Sequence, residues 1–285
     1  MTPDGLKDHA FTRAVFDAVR PVLKVEYDYR QRQGRDAEYV PNEYEFYLMR
    51  VGNRLAAVLS HCEQLSHAIL FMSNYRQTAA MGRTGITRMK HLRYNIESYI
   101  IRTQTLYDLV LKLIDAVFHL LNSDSQCRHA TIVQNLKVKQ TEIPNVLKPL
   151  RKKLSEFEQA RHIVIHRGTY QDDELYRLEL FTELEDSYRK SGHDLPVDIA
   201  FVPEARVEMT RELIKKRKAQ YARFNSRVLQ LVSDVFAVLH ERFEEEERRL
   251  RILTERGAQL IRIEVTRSGH FNPVFKEAPQ TRQDV

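Results

Sequence analysis

Cysteine is scarce in this chain, and its scarcity excludes two common ways of stabilising a fold. The 285 residues contain only Cys62 and Cys127, which are too few for a disulfide framework, and no C-x2-C spacing indicates a zinc site. Two isolated cysteines are usually reduced, buried thiols, as in proteins of a reducing compartment. We therefore expect a cytoplasmic protein without a disulfide scaffold or a zinc centre.

Glycine, proline and long apolar runs are also few. With nine glycines and nine prolines, the sequence favours long helices over turn-rich sheets. No segment approaches the run of about 18 uncharged apolar residues that a membrane span needs. Residues 1–20 lack the continuous apolar stretch of a secretory signal peptide. These absences again predict a cytoplasmic protein that makes no membrane contact.

Signatures of several common enzyme classes are absent as well. The sequence contains no P-loop, no G-x-G-x-x-G, no G-x-S-x-G and no paired-carboxylate signature, which argues against nucleotide hydrolysis, hydride transfer and serine-hydrolase chemistry. Lysine and arginine outnumber the acidic residues by 45 to 39, so the net charge is +6. This modest surplus favours a polyanionic partner such as RNA.

Apolar residues recur at alternating three- and four-residue intervals over most of the chain, a pattern typical of helices that pack on one another. One such seam covers residues 44–69. A second covers residues 92–120 and carries a further apolar stripe, which predicts a central helix buried on two sides. The predicted fold is all-α, a bundle of four long helices with additional terminal elements. Its predicted parts are an N-terminal helix and linker (residues 1–41), the helical bundle (42–256) and a C-terminal extension (257–285).

Two segments outside these seams have other patterns. Residues 175–181 fit a helix or a short strand. Residues 260–265 alternate between apolar and charged side chains, which predicts one strand in the C-terminal extension.

The third long helix, predicted from about Pro144 to Arg167, carries a charged residue where its apolar face is expected. Arg161 falls in the middle of that face. An unpaired buried guanidinium is costly, so Arg161 needs a carboxylate from another helix or a cavity that admits a phosphate. The apolar residues that define the face are Leu147, Leu150, Leu154, Phe157, Val164 and Ile165.

His162 and His166 lie four residues apart on the adjacent face, and Gly168 is placed to end the helix in the left-handed conformation. The run from Arg161 to His166 (RHIVIH) fits an R-(polar)-x3-H motif and resembles the HEPN superfamily, whose all-helical domains include many metal-independent ribonucleases. The resemblance implies that Arg161 and His166 are the motif pair and that His162 fills the polar second position. It extends over residues from about 42 to 250.

The resemblance also implies a function, a metal-independent endoribonuclease whose active site is shared by two chains of a homodimer. Histidine, with an ordinary pKa near 6.5, suits both proton transfers of RNA cleavage, and an arginine fork suits the phosphate. Such families serve phage defence, toxin–antitoxin control or RNA processing, so an antitoxin or another regulatory protein is a candidate partner. No cofactor is expected.

Other interpretations stay open from the sequence alone. Arg161 can be a structural arginine paired with Glu97 or Asp108, with His166 a capping or surface histidine. The protein can also be a non-catalytic HEPN-like scaffold for RNA or a protein partner, or a basic helical DNA-binding protein. His162 and His166 have the H-x3-H spacing of two metal ligands, but no third ligand is evident, so no metal site is predicted.

Two basic runs are candidates for contact with a phosphate backbone, although charge runs are usually only solvated helix faces. The first run leads into the motif helix and supplies the predicted RNA-binding residues Lys148, Arg151, Lys152 and Lys153. The second run consists of Arg211, Lys215, Lys216, Arg217 and Lys218.

Overall fold

The structure, a computed structural model, describes residues 1–34, 36–76, 78–170 and 172–268, with side chains described as far as Arg256 apart from that of Arg167. The described residues contain α-helices and two 3-10 turns but no strand. Nor do they include a helix with the length and hydropathy that a bilayer crossing requires. In chain order the elements are α1 (Pro3–Lys7), α2 (Ala10–Gln33), α3 (Glu43–Phe71), α4 (Ala79–Arg83), α5 (Arg88–Val117), α6 (His129–Gln134), α7 (Leu136–Lys139), α8 (Ile143–Leu154), a 3-10 turn (Ser155–Phe157), α9 (Glu158–Arg167), α10 (Asp173–Lys190), a second 3-10 turn (Val197–Ile199) and α11 (Val202–Ser268).

Helix α5 is the centre of the bundle. It packs against α3, α8, α9, α10 and α11, and both of its predicted apolar stripes are buried up to Val117, where α5 ends. Leu121, the last residue of the predicted second stripe, lies beyond that end and is 58% exposed. Leu92, Tyr99 and Val110 represent the first stripe, and Ile100 and Ile114 the second. A helix buried on two sides has no fully polar face, as the sequence pattern predicts. The predicted all-α bundle is therefore confirmed.

The starts of the long helices are fixed by local hydrogen bonds. At α3, the Glu45 N–H donates to Asn42 Oδ1 at 2.9 Å, and the Asn42 N–H donates to Glu45 Oε2 at 2.9 Å. At α5, the Lys90 N–H donates to Thr87 Oγ1 at 3.3 Å. These caps satisfy N–H groups that have no partner inside the helix.

The N-terminal helices pack onto the bundle. Both α1 and α2 contact α3 and α11, and Leu6, Phe11 and Val15 are fully buried in the common core. The close approach of α2 to α3 depends on Gly52, since a Cβ atom there would lie 3.0 Å from Val19 Cγ2. The first forty residues thus contribute apolar surface to the same core as the seams of α3 and α11.

In the C-terminal half, one prediction is wrong, and the structure decides between helix and strand for residues 175–181. The backbone of residues 260–265 is helical, because α11 continues to Ser268, so the predicted strand is wrong. Extending an existing helix forms one hydrogen bond per residue, whereas a lone strand has no partner. Residues 175–181 lie inside α10, whose first turn is capped by Asp172 at 2.9 Å from the Leu175 N–H.

Buried histidines make the stability of the fold dependent on pH. Burial lowers the pKa of His61 and His119 below the ordinary value of 6.5, and it does the same for His9, His91 and His129. The unfolded chain therefore binds more protons than the folded chain as the pH falls through 6.5, and the free energy of unfolding decreases. We expect a lower urea midpoint at about pH 5.5 than at about pH 7.5.

His61 provides the control for this prediction. Its Nε2 lies 2.8 Å from the Arg102 carbonyl oxygen, and its side chain is buried. His61→Gln removes one titrating group, so the difference between the two urea midpoints should shrink. Equal wild-type midpoints at both pH values would contradict the argument.

Candidate active site at the end of helix α9

The predicted third helix is divided by a 3-10 turn between α8 and α9. A 3-10 turn advances about 120° per residue and an α-helix about 100°, so three such residues rotate α9 by roughly 60°. Leu147, Leu154 and Val164 remain buried, whereas Ile165 is 48% exposed. The predictions of one continuous helix and of a core position for Ile165 are therefore wrong.

The same rotation moves Arg161 from the middle of the buried face to its edge, where it is partly buried. Its Nε atom is buried and has no hydrogen-bond partner among the described residues. Glu97 instead accepts a hydrogen bond from the Tyr170 N–H at 2.8 Å, and Asp108 is exposed. Within the described chain Arg161 thus lacks the predicted alternative ion pair, and its guanidinium is a donor suited to an external anion.

The structure brings the two histidines of the motif together. His162 and His166 are both exposed, one helical turn apart, with ring centroids separated by 4.3 Å and ring planes inclined by 46°. Exposed imidazoles can exchange protons with solvent and with a bound substrate. The end of α9 therefore presents two proton-transfer groups next to a partly buried cation.

The chain that follows His166 is fixed at several points. Gly168 adopts φ 81°, and its N–H donates to the Val164 carbonyl at 3.1 Å, which ends α9 in the left-handed conformation that glycine accepts without strain. Tyr170 is bonded to Glu97 of α5, as noted above. Asp172, the capping residue of α10, also forms an ion pair with Arg217 of α11. The end of α9 is thereby connected to both α5 and α11.

Sequence reasoning missed this anchoring. An aspartate directly before a helical pattern is a capping signal, and it could have identified Asp172. Nothing in the local spacing indicates that Asp172 also binds Arg217, forty-five positions later, because that contact depends on how α10 and α11 pack.

A metal centre finds no support in the described side chains. No group of three or more histidine, cysteine, aspartate or glutamate residues is arranged there to hold an ion. The pair His162 and His166 would supply two ligands, fewer than a zinc site requires.

The first basic run lies on α8, directly before the motif helix. Lys148, Arg151 and Lys152 are exposed. Lys153 is partly buried, 2.8 Å from a Glu156 carboxylate oxygen and 4.9 Å from the centroid of the Phe224 ring. The exposed members of this run are available to a phosphate backbone.

The second basic run is largely occupied by contacts within the fold. Each of its five members has a polar partner, but the pairs of Arg211, Lys215 and Lys216 are exposed and therefore weak, and only Arg217 is buried. The partners are Glu208 for Arg211, Glu212 for Lys215, Glu174 for Lys216, Asp172 and Glu174 for Arg217, and Ser73 for Lys218.

Comparison with protein families gives one match. The model of the Cthe2314-like HEPN family matches residues 52–233, which include the whole motif helix. No curated protein and no solved structure gives a match. The match covers more than half of the chain and coincides with an all-helical bundle. The chain therefore belongs to the HEPN superfamily, in its Cthe2314-like family.

Proposed function

We propose that this protein is a metal-independent endoribonuclease whose active site is formed by two chains of a homodimer. The observation that carries the proposal is the arrangement at the end of α9. There Arg161, whose buried Nε has no partner among the described residues, is followed by two exposed imidazoles whose centroids lie 4.3 Å apart. A cation that forms no ion pair within the described chain, on the same short helix as two proton-transfer groups, is suited to a phosphodiester.

The chemistry assigns a role to each residue. The 2′-hydroxyl oxygen attacks phosphorus as a base removes its proton, and the 5′-oxygen leaves with a proton from an acid. The products are a 2′,3′-cyclic phosphate and a free 5′-hydroxyl. His166 transfers protons, Arg161 stabilises the charge that develops on the phosphate, and His162 orients His166 or the phosphate.

With His162 in an orienting role, each chain supplies one proton-transferring histidine, His166, so a separate base and acid require two chains. An exposed apolar residue within the motif supports contact with a second copy there. Ile165, directly before His166, is 48% exposed. In the proposed dimer, the α9 helices of the two chains face each other across the two-fold axis that relates the chains.

Exposed residues along α8 and α9 suggest the path of the RNA. Lys148, Lys152, His162 and His166 are all exposed. Within each pair the residues are four apart and share one side of their helix. The ten-residue step from Lys152 to His162, with about 60° added by the 3-10 turn, ends about 20° from a whole number of turns. Arg151 borders this line. An RNA strand held by these cations would pass the histidines. We place this activity in the cytoplasm, in phage defence or in toxin–antitoxin control, where an antitoxin would be the partner.

The direct test is cleavage of an unstructured RNA in EDTA. We expect the wild type to cut the RNA and leave cyclic phosphate ends, and we expect Arg161→Ala to lose about 10²- to 10³-fold in rate, the range for removal of one charge-stabilising donor. Arg13→Ala is the control, because Arg13 is exposed on α2, which packs on α1, α3 and α11.

The rival function, a non-catalytic scaffold, predicts a different result. RNA would be bound but not cut by the wild type, and Arg161→Ala would leave the RNA intact in the same way. Strong binding to duplex DNA that Arg161→Ala barely changes would instead indicate a DNA-binding protein.

A further inference from the structure

A groove of about 740 Å³ lies between α11 and the chain that joins α8 to α9. It brings together cations that are far apart in sequence. Lys153 comes from the first basic run, Lys216 from the second, and Arg223 from neither. Ala160, directly before Arg161, also lines the groove, so the groove adjoins the candidate active site.

The groove has an aromatic lining. Phe157, Tyr221 and Phe224 are buried beneath it, and Tyr170 is partly exposed. This ring is held by two contacts. The Tyr170 N–H donates to Glu97, and the Tyr170 hydroxyl lies 3.4 Å from Asp172 Oδ2. Aromatic side chains next to cations are typical of sites that hold single-stranded nucleic acid, since the rings contact bases and the cations contact phosphates. Of these four rings only Tyr170 is open to a base, because Phe157, Tyr221 and Phe224 are at most 9% exposed.

The cations of the groove differ in their availability. Arg217 is buried and committed to Asp172. Lys153 and Lys216 pair with Glu156 and Glu174, whose side chains are 53% and 42% exposed.

Pairs with such exposed carboxylates are weak, so a phosphate can compete for their ammonium groups. Arg223 is exposed and forms no ion pair within the described chain. Lys153, Lys216 and Arg223 can therefore contact a phosphate.

We propose that this groove binds one nucleotide of an RNA strand, with its phosphate between Lys153, Lys216 and Arg223 and its base against the exposed part of the Tyr170 ring. The inference rests on the proposed function, because it assigns the nucleotide to the strand that Arg161 and His166 cleave. The open groove and its contact with the residue before Arg161 favour a strand that continues to the active site over a free nucleotide.

The test measures binding of a short fluorescent oligouridine to His166→Ala protein, which should bind without cutting. We expect Lys216→Glu/Arg223→Glu to weaken binding by about tenfold or more and to reduce the slope of log K against log salt by up to about 0.7, since one phosphate contact with a single strand contributes about 0.7. The matched control is Lys24→Glu/Arg227→Glu. It changes the net charge equally at exposed positions outside the groove.

Two further variants keep the test decisive. Arg223→Glu breaks no ion pair within the described chain, so it should weaken binding even where the double variant folds poorly. Glu174→Gln should strengthen binding, because it releases Lys216. Glu208→Gln is the control and should not strengthen binding, because it releases Arg211, which lies on α11 outside the groove.

The outcomes separate this inference from the proposed function. Equal losses in the groove and control double variants would overturn the groove as a site. Displacement of the oligouridine by AMP at equal nucleotide concentration would overturn the assignment to a strand. A wild type that never cuts RNA, together with selective loss in the groove variants, would support the groove while rejecting the enzyme. Normal RNA cleavage by the wild type, without selective loss of oligouridine binding in the groove variants, would support the enzyme and reject the groove.

Discussion

His166→Ala should reduce the rate of RNA cleavage by about 10²- to 10⁴-fold, the usual contribution of a positioned proton-transfer group. The imidazole is exposed at the end of α9, so its removal opens no cavity in the core and should leave the unfolding temperature unchanged. The loss should appear in kcat rather than in KM, because His166 acts on the proton in transfer while the cations bind the strand. Single-turnover and steady-state cleavage in EDTA would measure both quantities.

His193→Ala is the matched control, since His193 is also exposed but lies in the loop after α10. This variant should cleave RNA as the wild type does. His162→Ala should lose less activity than His166→Ala if His162 has the supporting role that we assign to it. Full activity of the His166→Ala protein would remove the basis for the proposed enzyme.

Asp115→Ala should lower the free energy of unfolding by about 3–5 kcal/mol, the usual result of removing one partner of a buried ion pair. Asp115 is fully buried at the end of α5 and forms an ion pair with Arg50 of α3. Its Oδ1 also accepts hydrogen bonds from the Asn122 side chain at 2.7 Å and the Asn122 N–H at 3.3 Å. The variant would leave the Arg50 guanidinium without its counter-ion in the interior.

Urea unfolding of Asp115→Ala against Asp108→Ala measures this effect. Asp108 is on the same helix two turns earlier but is exposed, so its variant should unfold close to the wild type. Replacing Arg50 and Asp115 together by apolar residues should restore part of the loss, because no unpaired charge remains. A midpoint for Asp115→Ala equal to that of Asp108→Ala would show that the pair contributes nothing.

The parts of the fold that follow from helical periodicity could be predicted. The seams of α3 and α5 are buried as their spacing indicates, and the inward residues of α11, such as Tyr221, Phe224 and Val228, are buried as well. Prediction failed where local pattern and context compete. Residues 260–265 alternate like a strand but extend a helix, because the preceding turns already supply the hydrogen-bonding register.

For the site, the sequence determined the order of Arg161, His162, His166 and the ending glycine along one helix, and it placed the two histidines one turn apart. Their spacing is local, and an α-helix converts local spacing directly into proximity. The tertiary structure decided how deeply Arg161 is buried, that Glu97 binds Tyr170 rather than Arg161, and that Lys153 meets Lys216 and Arg223 across one groove. These facts depend on a 3-10 turn that rotates α9 and on the packing of α11 against α8, which no short-range pattern encodes.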